Sequence, residues 1–365
     1  MNVSAEGRSG SARLGLRQVL SAAGARVLRG EDADGCGPLG RCNVVIMAVM
    51  TRFTDLVGCQ VPIQQAPMGS VSTPALAVAV AEAGGVGSIT AMGLTAAELD
   101  QVLAGMAART AGVLAANFLT GDIDREAVAA AAARAQIVDF FWADPDPALV
   151  ELAHRGGALC CWQVGSLDEA KAAADAGCDV VVVQGTEAGG HIRGHSPLRP
   201  LLESVLGQLD LPVLAAGGIG DGRGFAAALD VGAAGVRVGT RFIATTESGA
   251  HPAYKQAVVD VAGGSTEITD AFSVCPLCAS VPRARVLRSC IHAVRDLPGE
   301  TAGETTVAGR RISLPKGHGL PPGAAATGHV DAMAMYAGES AAAISAVEPV
   351  AHVIQSWCAA AEPPG

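Results

Sequence analysis

The chain is poor in aromatic residues and in charge. Phe, Trp and Tyr together make up 3% of its 365 residues and Asp, Glu, Lys and Arg 16%, against 50% hydrophobic residues. Its core must therefore be built from Val, Leu, Ile and Ala. Lysine is scarcer still, limited to Lys171, Lys255 and Lys316. No Lys/Arg-rich run occurs, and the net charge is −10 with a pI near 5.3. Nucleic acid and anionic membranes both require a positive face, so neither is expected as a partner. The longest apolar runs, such as 44–50, fall far short of a membrane span. The phosphate pattern G-x-x-x-x-G-K-S/T is missing, and Gly218-Ile219-Gly220-Asp221-Gly222-Arg223 does not close as G-x-G-x-x-G. These absences argue against a P-loop or Rossmann enzyme. No cluster of His and carboxylates suggests a metal. The ten cysteines are scattered, and the single C-x-x-C at Cys275 and Cys278 has no second pair. Free thiols in a reduced, cytoplasmic setting are expected.

What the chain does have is a strand-and-helix rhythm. Residues 1–49 stand outside it, being rich in Gly, Ser and Arg. Residues 13–29 could form the basic amphipathic helix of a targeting peptide. The Arg- and Ala-rich composition favours instead an upstream extension, with the true start at Met47 or Met50. Either way this segment is expected to be poorly ordered. From Val61 onward, strands are expected at 61–66, 86–89, 113–116, 137–142, 158–163, 180–184, 212–216 and 235–238. Between them lie helix signals: Pro74, the capping box Thr95 and Glu98, Asp124, Pro147, Ser166 and Gly222. Crossover helices return the chain in one direction, so the strands should be parallel, and eight is the number that closes. The expected fold is α/β, a (β/α)8 TIM barrel over 53–262, with a doubly wound open sheet as the alternative. Residues 263–330, rich in Gly, Pro and polar residues, are read as a lid. Residues 331–365 carry a helical pattern broken at Pro349, and are read as helices packing across the barrel mouth.

In such a barrel the functional groups gather at the C-terminal ends of the strands. Those positions hold Ala66, Pro67 and Met68, then Met92, Asn117, Asp144 and Gln163, then Gln184 to His191, Gly217-Gly218 and Gly239-Thr240. Few carry charge and several are amides, which suits a neutral, hydrogen-bonding ligand. Gly189-Gly190, Gly217-Gly218 and Gly239-Thr240 follow consecutive strands, where bare backbone N–H groups can cradle a phosphate. One Gly-Gly turn is more often only a tight turn, but three that converge point to a site. His191 is the candidate acid or base, with a ligand-orienting or surface role as the alternative. Glu187 is read as the charge that fixes this turn and His195 as a loop residue, while Met68 and Met92 would line the pocket.

On these residues the chain resembles the nitronate monooxygenase family, formerly the 2-nitropropane dioxygenases, and through it the FMN-dependent enoyl acyl-carrier-protein reductase II. The likeness is carried by Gln65-Ala66-Pro67-Met68, Ala83-Gly84-Gly85-Val86-Gly87, Gln184-Gly185-Thr186-Glu187-Ala188-Gly189-Gly190-His191, Ala216-Gly217-Gly218-Ile219, Val238-Gly239-Thr240-Arg241-Phe242 and Met335-Tyr336-Ala337-Gly338-Glu339-Ser340. It implies an FMN enzyme. The phosphate would meet Gly189, Gly190, Gly217, Gly218, Gly239 and Thr240. The ring would lie among Ala66, Pro67, Met68, Asn117, Gln163 and Gln184, with His191 as the catalytic histidine. Glu339 departs from the glutamine common in the last motif, which bears on hydrogen bonding near the flavin. The implied activity is oxidation of small alkyl nitronates or nitroalkanes by O2 to carbonyl compounds and nitrite, in a monomer or an oligomer. Two alternatives stand beside it: an NAD(P)H-dependent, enoyl reductase-like enzyme on the same flavin, and a non-redox lyase or isomerase with a phosphorylated ligand. The lack of a lysine at any strand end speaks against the latter.

Overall fold

Short runs rich in Val, Ile and Ala, each closed by glycine or a polar turn, become strands where both faces of a sheet are covered. The computed structural model describes residues 48–119, 123–261, 265–274, 281–307 and 309–361, and the backbone of the strands Leu16–Leu20 and Arg26–Gly30. Eight parallel strands close into a barrel: β1 (Ile63–Gln65), β2 (Val86–Thr90), β3 (Val113–Leu119), β4 (Ile137–Phe141), β5 (Leu159–Val164), β6 (Val180–Gln184), β7 (Val213–Ala216) and β8 (Gly235–Val238). Closure comes from β8 pairing with β1, Val236 beside Ile63. The chain is thus a TIM barrel.

The helices begin where the sequence signals stand. Thr73 caps α1 (Pro74–Glu82), and Thr95 with Glu98 forms the capping box of α2 (Ala96–Ala107). Asp124, Asp146 and Ser166 cap α3 (Arg125–Ala132), α4 (Pro147–Arg155) and α5 (Leu167–Asp175). Then come α6 (Leu198–Leu206), α7 (Gly222–Val231) capped by Asp221, and α8 (Pro252–Val259). Each cap satisfies a helix N–H that has no partner within the helix. Two apolar layers result. Leu99, Leu103, Phe140, Trp162 and Val181 pack between strands and helices. Val86, Ala115, Ile137, Val180, Val182 and Leu214 fill the lumen, with Phe53 of the helix Arg52–Val57 packed against them.

Beyond the barrel, Ala284–Leu287 pairs antiparallel with Thr266–Thr269 on one side and with Gly190–His191 on the other. The helix Arg288–Asp296 and the hairpin of Thr301–Val307 with Arg310–Pro315 follow. The helical pattern expected over 331–360 is realised only in part. Val350–Ala360 is helical after Pro349, whereas 331–348 holds just the 3-10 turns Val330–Ala332 and Glu339–Ala343. Residues 335–337 run extended beside Ala284–Leu287, with Leu287 N–H donating to Met335 O (2.9 Å) and Ala337 N–H to Arg285 O (3.3 Å). These tertiary bonds outweigh a local helix preference of a few tenths of a kcal/mol per residue.

Most of residues 1–49 lie outside the described residues, as do Cys275 and Cys278. In the described part, Leu16–Leu20, Arg26–Gly30 and Ala48–Met50 form a three-stranded antiparallel sheet where the amphipathic pattern suggested a helix. Cys59, Cys160, Cys161, Cys178, Cys290 and Cys358 are free, buried thiols. Among the described residues no helix is long and apolar enough to cross a membrane.

Candidate active site

A cavity of about 510 Å³ opens at the C-terminal ends of the strands. Its wall brings together Ala66, Pro67, Met68, Asn117, Gln163, Gln184, Gly189, Gly190, His191, Gly217, Gly218, Gly239 and Thr240, and Met92 as well, whereas Asp144 stands outside it, exposed and paired with Arg193 at 2.7 Å. They meet because β6, β7, β8 and β1 are neighbours in the closed sheet, so their following turns stand side by side.

The glycines of this wall are required by conformation and by space. Gly190, Gly217 and Gly218 have φ of 80°, 116° and 72°, a region side chains rarely adopt. A Cβ on Gly189 would lie 2.5 Å from the backbone nitrogen of Gly338. The N–H groups of Gly189, Gly217 and Gly218 have no acceptor among the described residues, which leaves them open to an anionic oxygen. Thr240 closes this wall from behind, its hydroxyl accepting from Gly338 N–H at 3.0 Å.

His191 stands at the mouth of β6, half-buried. Its Nδ1 lies 2.7 Å from the carbonyl oxygen of Val281, which can only accept, so Nδ1 carries a proton and Nε2 of the neutral ring is bare. Tyr336 Oη is 3.2 Å from Nε2 and also 2.6 Å from Gly319 O, to which it donates. Nε2 therefore faces a hydroxyl whose one proton is already committed. Trp142 packs edge-on against the imidazole at 4.6 Å, from a backbone with φ of 84°. Burial pushes the His191 pKa down to about 4, opposed in part by the Val281 hydrogen bond, so the ring is neutral at ordinary pH.

Two groups away from the strand ends also belong to the site: Arg237 lines the cavity floor and Asp139 lies buried beneath it. Asp139 in β4 and Arg237 in β8 form an ion pair at 2.9 Å, with side-chain exposures of 0% and 1%. Arg237 also donates to Gln163 Oε1 (2.9 Å) and Gln64 Oε1 (3.1 Å), and Asn117 Nδ2 donates to Asp139 Oδ2 (3.1 Å). Burial pushes the Asp139 carboxyl up, and the Arg237 guanidinium pulls against it. The signal was present in the sequence: Ile137-Val138-Asp139-Phe140-Phe141 and Gly235-Val236-Arg237-Val238 each carry one charge inside an apolar strand. A lone charge there must find an opposite one. Gln184 is occupied, donating to His191 O (2.9 Å) and accepting from Arg193 N–H (3.2 Å), and so it holds the β6 loop.

The remaining candidates lie off the cavity. Glu187 accepts from Leu198 N–H at 2.9 and 3.0 Å and thus caps α6, the turn-fixing role expected of it. His195 lies at the surface, its Nδ1 2.8 Å from Arg283 Nη1, which can only donate. Glu339 turns away to Arg285 Nη2 (3.1 Å), leaving Ser340 to line the cavity. His318 also lines it, and no sequence pattern singled it out. Among the described residues no group of His, Cys, Asp or Glu could hold a metal ion.

The family model for nitronate monooxygenase matches residues 50–121 and 106–360. The chain belongs to the nitronate monooxygenase family. Over 335 residues it is 30% identical to a nitronate monooxygenase of Paraburkholderia phytofirmans, covering 79% of this chain and 88% of that one. Over 207 residues it is 39% identical to a (3aS,4S,5R,7aS)-5-hydroxy-7a-methyl-1-oxo-octahydro-1H-indene-4-carboxyl-CoA dehydrogenase of Rhodococcus jostii, covering 54% of this chain and only 56% of that relative. Two solved structures share the fold along nearly their whole length. FabK of Thermotoga maritima superposes with a TM-score of 0.70 at 27% identity, over 86% of this chain and 96% of that one. Nitroalkane oxidase of Streptomyces ansochromogenes gives 0.68 at 30%, over 85% and 98%. The chain is an oxidoreductase of the nitronate monooxygenase type, in a family of flavin enzymes. With that, the non-redox lyase or isomerase alternative is set aside.

Proposed function

We propose that this oxidoreductase uses FMN and O2 to convert alkyl nitronates, or the nitroalkanes from which they form, to carbonyl compounds and nitrite. The observation that carries the reading is His191 Nε2, a bare lone pair beside a glycine-walled cavity. The same cavity suits a phosphorylated flavin: three unpartnered N–H groups converge on one side, and the free ends of two amides face it on another. Gly189, Gly190, Gly217 and Gly218 would hold the phosphate, and Ala66, Pro67, Met68, Asn117 and Gln163 the ring. When bound, the flavin supplies the redox chemistry. Uptake of a substrate α-proton at Nε2 gives His191 a second N–H, which then meets Tyr336 Oη. The base thus gains a hydrogen bond as it works. Met92, Val307 and Ile312 keep the space around it apolar.

Oxygen uptake with a small nitronate set tests this proposal. The purified chain should be yellow and should consume O2, and His191→Asn should lower kcat/KM for nitroalkanes by about 10²–10⁴-fold. A protein that stays colourless with added FMN sinks it. A second reading keeps the flavin and takes hydride from NAD(P)H to act on an enoyl thioester. Similarity to a carboxyl-CoA dehydrogenase supports it. Stopped-flow reduction of the bound flavin by NADH or NADPH separates the two.

A further inference from the structure

Strands β4 and β8 lie on opposite sides of the barrel, so the Asp139–Arg237 ion pair crosses the lumen under the cavity. A buried ion pair commonly stabilises a fold no better than apolar side chains of equal volume, so its presence here calls for another use. Each partner also holds one cavity amide, Arg237 in addition to its bond to Gln64 Oε1. The carboxylate of Asp139 can only accept, so Asn117 turns its NH2 down to it at 3.1 Å and points Oδ1 the other way. The guanidinium of Arg237 can only donate, so Gln163 turns Oε1 down to it at 2.9 Å and points Nε2 the other way. Asn117 Oδ1 and Gln163 Nε2 have no partner among the described residues, and both residues line the cavity. An amide alone could present either end, since its two ends have almost the same shape. Here the ion pair decides.

We propose that the Asp139–Arg237 ion pair is a positioning device that sets the polarity of two amides, so that the cavity floor offers one acceptor and one donor and reads the imide edge of a flavin ring. That edge carries an N3–H donor between two carbonyl acceptors. Asn117 Oδ1 takes the N3–H, and Gln163 Nε2 serves a neighbouring carbonyl oxygen. Asp139 and Arg237 touch the floor amides and act through them. The proposal rests on the FMN reading above.

The test titrates the full chain with FMN and with 3-methyl-FMN, which lacks the N3–H, and reads the ratio of the two dissociation constants. A ratio within one protein cancels any general loss of stability. The unmodified chain should prefer FMN by about tenfold or more, the effect of one buried hydrogen bond. The double variant Asp139→Asn with Arg237→Gln removes both charges together, leaves no unpaired ion and frees the amides to rotate. Its ratio should fall to about threefold or less. Gln163→Glu keeps an oxygen toward Arg237 but turns an acceptor toward the ring, and should weaken FMN about tenfold or more even if the double variant does not fold. A ratio near one in the unmodified chain overturns the inference, as does an unchanged ratio in the double variant or unchanged FMN affinity in Gln163→Glu. A chain that binds neither flavin overturns the FMN reading instead.

Discussion

His191 combines a raised cost of charging with a partner that rewards it. Burial holds its pKa at about 4, below the ordinary 6.5. Between those two values an unfolded chain takes up the proton while the folded one does not. This histidine's contribution to stability is therefore complete above 6.5 and is lost as pH falls toward about 4. In the proposed function, turnover of a neutral nitroalkane would use the bare Nε2, so kcat/KM should be flat through neutrality and half lost at about pH 4. Tyr336 supplies the oxygen that receives Nε2–H once the ring is charged. In Tyr336→Phe that acceptor is gone, so the acid limb should shift to still lower pH. A shift to higher pH would show that Tyr336 donates to Nε2 in the resting protein. Asp139 and Arg237 show a different lesson at this scale. Their side chains could be recognised in the sequence as charges stranded in apolar runs, but which amide each would turn depends on neighbours across the lumen.

At the scale of elements, the barrel was legible because its signals are local. Each strand is a short apolar run, each helix opens on Thr, Ser, Asp or Pro, and the count of eight fixes closure. The glycine turns were legible for the same reason, since strand ends locate them. The segment 331–348 was not, because its conformation is set by hydrogen bonds to distant parts of the chain: residues 335–337 to Ala284–Leu287, Glu339 to Glu187 and Glu348 to Ala244. Tyr336 entered the sequence reading only as part of a motif, and its place beside His191 follows from that extended path. The same packing makes Gly189 a critical contact, since its backbone lies directly on Gly338. Gly189→Ala should cost about 1–3 kcal/mol and lower the melting temperature by about 1–4 °C. At Gly190, where a Cβ meets nothing within 4 Å, only the positive φ opposes substitution. Calorimetry on Gly189→Ala and Gly190→Ala should therefore rank the first as the more damaging.

For the molecule as a whole, we read residues 53–262 as a body that carries the amides and glycines, and 263–330 as a cover that shapes the space above them. Val307 and Ile312 of the hairpin, with His318 after it, reach the cavity from the cover. Hydrogen exchange with and without FMN should show slowed amides in the loops after β6 and β7 and in Ala284–Leu287, with α3 and α4 unchanged. Slowing confined to the outer helices would contradict that division. The strand Ala284–Leu287 has one edge on Gly190–His191 and the other on Thr266–Thr269. The histidine is consequently held by the cover as much as by the barrel. A chimera that exchanges the cover for a relative's, in search of a new substrate, would re-aim the base at the same time. In the function proposed above, substrate range and proton transfer would be mechanically linked, and an engineer who wants to alter one would have to transplant the loop and the strand together.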